Sequence, residues 1–133
     1  MLPELFAQNL KALEPRLEQL LAQSILGLGT GCPRNLPELP GVYRFINTCQ
    51  PMATVRVGRA DVTLRQRIYT NHIMGDQAGN LRAQLCRGGE CTGMDDAKRF
   101  IRQNLAVQVL PIEDERERAW IEYFMHAALR PRY

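Results

Sequence analysis

Tyr43, Arg59, Arg67 and Glu122 are the side chains whose types and spacing suit a single chemical site. Arg56-Val57-Gly58-Arg59-Ala60 ends an apolar stretch in a glycine, an arginine follows at once, and Arg67 stands where a helix should have just opened. Upstream lies Gly41-Val42-Tyr43, and far downstream comes Glu122, nine residues ahead of Pro131-Arg132-Tyr133. The reaction this set suits is phosphodiester hydrolysis, which needs an acceptor for the attacking water's proton, positive charge around the phosphorus and help for the leaving alkoxide. Arg59 and Arg67 can hold phosphate oxygens. Tyr43, with a phenol pKa near ~10, needs adjacent cations to approach phenolate character, and the two arginines could provide them. One carboxylate holding Mg²⁺ or Mn²⁺ with waters would supply a Lewis acid, since such hard cations take oxygen ligands.

The histidines offer less. His72 is five residues beyond Arg67, just over one turn of an ordinary helix, so the two point partly apart. His126 is four residues after Glu122 and shares its helix face; packing or solvent is its ordinary role.

Charge is unevenly spread. The net charge is only +3, but residues 41–90 hold seven arginines against Asp61, Asp76 and Glu90. Of 17 basic residues only Lys11 and Lys98 are lysines, and arginine's planar fork suits bidentate phosphate contact better. Arg56, Arg65 and Arg82 are therefore candidate nucleic-acid contacts. Among Cys32, Cys49, Cys86 and Cys91 only the last two are close in sequence, at the loose end of zinc spacing and with no second tight pair. Reduced thiols are the expectation. Glu4, Lys11 and Glu14 interrupt any signal-peptide pattern, and no apolar run is long enough to span a bilayer. No membrane association and a cytoplasmic location are expected.

The elements that must position these residues can be read from periodicity. Phe6, Leu10, Leu13, Leu17, Leu20 and Ser24 alternate by four and three, so residues 3–26 are helical, with a kink or a helix junction near Glu14 because Pro15 interrupts them. Such a stripe is more often laid on its own domain than used as a dimer surface. A Gly/Pro-rich loop leads to strands over 42–46 and 53–57, which read as a hairpin. Thr63-Leu64-Arg65-Gln66 has the form of a capping box, predicting a helix to about Ile73. Short helices follow over 80–87 and 95–104, then a strand over 106–110. Glu113-Asp114-Glu115 suits the start of a last helix carrying Trp120, Phe124 and Ala127 along one line.

In order and spacing, residues 41–133 resemble the GIY-YIG nuclease domain. Gly41-Val42-Tyr43, preceded by Pro40, looks like its first motif, and Arg56-Val57-Gly58-Arg59-Ala60 sits at its second. The resemblance makes Arg67 the family's catalytic arginine and Glu122 its metal-binding glutamate. It also makes His72 an assistant in proton transfer, as in the restriction-enzyme branch. Two departures stand out: Arg56 replaces the second motif's tyrosine, removing one of two candidate proton acceptors, and the sequence ends at Tyr133 where an asparagine often follows.

The expected fold class is α/β in the broad sense (α+β): a small three-stranded antiparallel sheet flanked by helices. Residues 1–30 form an N-terminal helical segment and residues 31–133 the nuclease-like domain. The resemblance implies metal-dependent cleavage of DNA, with RNA still open, using Mg²⁺ or Mn²⁺. The rivals are a catalytically weakened relative that binds nucleic acid through the same arginines, and a protein-interaction module. A homodimer through the N-terminal helix is the further partner the stripe allows.

Overall fold

The computed structural model describes residues 2–29, 31 and 33–133, apart from the side chain of Met52. The sequence-based readings of Thr30 as loop and of Cys32 as a reduced thiol lie outside the described residues. Cys49, Cys86 and Cys91 are free thiols.

The fold is mixed α and β, as expected. The N-terminal stripe forms two helices, α1 (Leu2–Lys11) and α2 (Glu14–Leu21), with Pro15 inside the first turn of α2, where its missing N–H costs nothing. The sheet has four antiparallel strands rather than three: β1 (Leu26–Gly27), β2 (Gly41–Asn47), β3 (Gln50–Ala60) and β4 (Leu105–Pro111), in the order β1-β4-β2-β3. The extra strand is two residues long, too short for any periodicity to reveal, and it ties the N-terminal segment into the domain's own sheet. Between β3 and β4 lie a helix over Gln66–Ile73, α3 (Leu81–Arg87) and α4 (Met94–Asn104), and the chain closes with α5 (Glu115–Leu129).

β2 is central and buried on both faces. Its alternation separates two cores. Tyr43 and Phe45 face a larger cluster with Ile68, Ile73, Leu85 and Ile101, beneath the three middle helices. Val42 faces a smaller cluster with Leu20, Val57, Ile121 and Met125, under α2 and α5. Arg44, turned to the second face, is buried but satisfied by Thr54 Oγ1 at 2.8 Å and Gln108 Oε1 at 2.9 Å. The C-terminal residues cover the free edge of β3, where the backbone N–H groups of Arg132 and Tyr133 donate to Thr54 and Val55.

The helix over Gln66–Ile73 starts as read, with Thr63 Oγ1 accepting from the Gln66 N–H at 3.0 Å. It then widens into a π-helix, closing five-residue turns such as Met74 N–H to Tyr69 O at 3.0 Å.

Candidate active site

The two glycines that carry the sequence motifs are required by close approach. Tyr43 pairs with Gly58 across the β2–β3 ladder, and its phenol lies over that residue. A Cβ at Gly58 would stand 2.6 Å from the phenol's Cζ. Gly41 leaves room for Leu64 and β4, where a Cβ would meet Leu64 Cδ1 and Pro111 Cα at 2.9 Å each.

Tyr43 Oη is the meeting point of the cluster. Arg67 Nε donates to it at 3.3 Å, and His72 Nε2 lies 2.6 Å away. The ring's other nitrogen, Nδ1, accepts from the backbone N–H of Leu81 at 3.0 Å. A backbone N–H can only donate, so a neutral His72 carries its hydrogen on Nε2 and donates it to Tyr43. Burial first, then the charges of Arg56 and Arg67, hold His72 well below the ordinary imidazole range, which keeps it neutral. Burial raises the Tyr43 phenol overall, although Arg67 and Arg56 pull it down, and Glu122 adds to the rise. The two donors on the phenol oxygen act against that rise, since they favour the anion over the neutral form.

Asn80 makes this possible. Its side chain caps α3 by accepting from the Ala83 N–H at 2.9 Å and donates to the carbonyls of Asn71 and Gly75 at 2.8 and 2.7 Å. The end of the π-helix is thereby fastened to the start of α3, with the Leu81 N–H directed at His72. The signal was present in the sequence as a capping asparagine ahead of Leu81-Arg82, but capping alone does not tell what the next N–H will meet.

Beside this cluster opens a cleft of about 360 Å³, lined among others by Arg59, Asp61, Arg67, Asn71 and Glu122. Arg67 belongs to both, touching Tyr43 and lining the cleft. Arg59 projects from the α5 side of β3, donates to Glu122 Oε1 at 3.0 Å and Asp61 at 3.3 Å, and lies 5.8 Å from the centre of the Tyr123 ring. Asp61, unremarked in the sequence, also pairs with buried Arg118 at 3.2 Å, anchoring the end of β3 to α5. His126 is largely exposed, 4.0 Å from Glu122 Oε2.

Two expected nucleic-acid contacts lie away from the cleft. Arg82 is buried, at 5% exposure, and its guanidinium donates to Met94 O at 3.1 Å and Gly75 O at 2.9 Å. It holds the α3 and α4 loops together and cannot reach a phosphate in solvent. Arg65 lies outside the cleft and bonds to Leu36 O, Arg34 O and Glu38, bracing the loop before β2. Arg56 does sit near Tyr43, but its guanidinium is committed to Gly79 O at 2.8 Å and to Gln84 Oε1.

The donors present fit Mg²⁺ or Mn²⁺ of the kind held by few protein ligands. Glu122 is partly open at 19% side-chain exposure, and Asp61 and Asn71 line the same cleft; carboxylate and amide oxygens are the hard donors such cations take. Among the described residues no three His, Cys, Asp or Glu side chains form a metal-holding group. Mg²⁺ characteristically keeps waters and takes one or two carboxylates plus substrate phosphates. Compared with protein families, curated proteins and solved structures, the chain matches none.

Proposed function

We propose that this protein is a metal-dependent endonuclease of GIY-YIG type, hydrolysing phosphodiester bonds in DNA. The observation that carries the reading is Arg67 bridging Tyr43 Oη to a cleft that also holds Arg59 and Glu122. A proton acceptor, phosphate-binding cations and a metal-binding carboxylate are thus neighbours, as phosphodiester hydrolysis requires.

In this reading the phosphate enters the cleft and the free guanidinium nitrogens of Arg67 hold its oxygens. Tyr43, once ionised, orients the attacking water and takes its proton on Oη as the new P–O bond forms and the bond to the leaving oxygen breaks, the leaving group departing as an alkoxide. His72 holds the phenol in place and favours its anion; it does not itself accept the proton. When bound at Glu122, Mg²⁺ or Mn²⁺ supplies Lewis acidity for the phosphate and the leaving alkoxide. Arg59, paired with Glu122, is the cation nearest to pass to a phosphate.

A second reading, a weakened relative that only binds nucleic acid, draws on Arg56 in place of a tyrosine and on the Arg59–Glu122 pair. Incubation with plasmid, single-stranded DNA and RNA, with Mn²⁺ or Mg²⁺ and with EDTA, separates them. Nicking of DNA that EDTA abolishes is expected. Salt-sensitive DNA binding without any cleavage would favour the second reading, and cleavage confined to RNA would correct the substrate.

A further inference from the structure

We infer that the apolar face shared by α1 and α5 is a two-fold interface with a second copy of this chain. α1 buries none of its ten residues, and an isolated helix of that length is marginal in water. Its exposed side carries Leu2, Leu5, Phe6 and Leu10. Next to it lies a groove of about 670 Å³ lined by Leu10, Leu13, Trp120, Tyr123, Phe124 and Ala127. The end of α1 forms one wall of that groove through Leu10, while Leu2, Leu5 and Phe6 continue the apolar surface uncovered beyond it.

The area matches a dimer. Phe6, Trp120 and Tyr123 are 58%, 55% and 64% exposed; at about 150–250 Å² per aromatic side chain these fractions come to about 270–440 Å². Leu2, Leu5 and Leu10, at 67%, 49% and 57%, extend the same surface. The whole approaches the ~800 Å² per partner of a standard interface and exceeds most patches left open on monomers.

Other occupants fit less well. The C-terminal residues that could have folded over the groove are bound to β3 instead. A lipid surface favours a polar face rich in Lys and Arg, and α1 has Lys11 as its single cation, with Glu4 at its other end. A two-fold pairing that seats Phe6 of each copy in the other's groove covers both faces at once and leaves no open patch to propagate. The pairing does not rest on the chemistry in the cleft, though Tyr123 lines the groove and also meets Arg59.

Sedimentation equilibrium of the full chain over a concentration series tests it. The expected mass is twice 15.2 kDa. Phe6→Glu and Trp120→Glu, both at exposed positions, should each weaken self-association at least ~30-fold, the scale of losing an interface anchor, while the circular dichroism spectrum stays that of the wild type. A wild type that remains monomeric throughout overturns the proposal, as does a dimer that persists in both variants. Binding of the monomer to anionic phosphatidylserine vesicles would likewise overturn it and assign the face to lipid.

Discussion

Arg67 and His72 stand five residues apart and donate to the same atom, the phenol oxygen of Tyr43. On an α-helix that spacing would splay them by about 140° beyond one full turn. The π-helical turn between Gln66 and Ile73 closes over five residues, so the two side chains return to one face. The widened turn is what assembles the cluster.

Tyr43→Phe removes the shared acceptor and leaves the Arg67 and His72 donors facing an edge of carbon. Two effects should be separable. Stability should fall by ~1–3 kcal/mol, the cost of stranding buried donors, readable by urea unfolding. Cleavage by the folded fraction should be nearly abolished. Normal cleavage by a folded Tyr43→Phe enzyme would remove Tyr43 from the chemistry.

His72 makes a pH prediction with a definite sign. Its folded pKa is depressed by burial and by Arg56 and Arg67, whereas in the unfolded chain it returns to ~6.5. The unfolded state therefore binds more protons below ~6.5, and stability falls as pH drops through that window, by at most ~1.4 kcal/mol per unit from this group. His72→Gln retains a donor for Tyr43 without a titrating group, so its unfolding midpoint should lose this slope. Nitrogen NMR should find His72 as the Nε2–H tautomer above and below pH 6.5. A ring protonated on Nδ1 in the folded protein would contradict the Leu81 contact.

Much of this was legible in the sequence. The hairpin, the closing strand, the last helix and its cap at Asp114 follow from alternation and capping residues that local physics enforces. The motif glycines at 41 and 58 and the cleft residues Arg59, Arg67 and Glu122 could be picked out by order alone. The π-turn could not, because it depends on how Asn80 fastens the helix end to α3. Nor could the fates of Arg65 and Arg82, since an arginine meant for phosphate and one meant for backbone carbonyls look alike until the loops beside them are placed. The N-terminal stripe was expected to lie on its own domain. α2 does so through Leu20, but α1 leaves its face uncovered.

Gly58→Ala tests the packing beneath the cluster. The added methyl would overlap the Tyr43 phenol, and the phenol cannot retreat because Arg67 and His72 hold its oxygen. Overpacking of this kind costs ~1–3 kcal/mol, and displacing Oη should lower turnover with little change in DNA affinity. An unchanged melting midpoint and turnover would mean that the ring has room the geometry does not indicate.

Arg67→Ala should lower turnover of bound DNA far more than it lowers affinity, because under the proposed reaction its guanidinium, between Tyr43 and the cleft, would meet charge that develops only in the transition state. Affinity lost with turnover preserved would make it a positioning contact.

Glu122→Gln is the sharpest test of the metal reading. The substitution keeps the shape and can retain an acceptor for Arg59, now 3.0 Å from Oε1, so the fold should be unaffected. It removes the anionic charge that a hard cation requires. Cleavage should therefore fall at least ~10²-fold, the scale of losing a main electrostatic element of a site. Mn²⁺ titrated into the protein alone and followed by electron paramagnetic resonance should bind the wild type more tightly than the variant. Arg59→Gln should act in the opposite direction on that binding, because it removes the internal cation that competes for the same carboxylate. Equal Mn²⁺ affinity in wild type and Glu122→Gln would move the metal away from Glu122. Tighter binding in Arg59→Gln with cleavage reduced would fit an arginine that guards the carboxylate in the free protein and serves the phosphate in the complex.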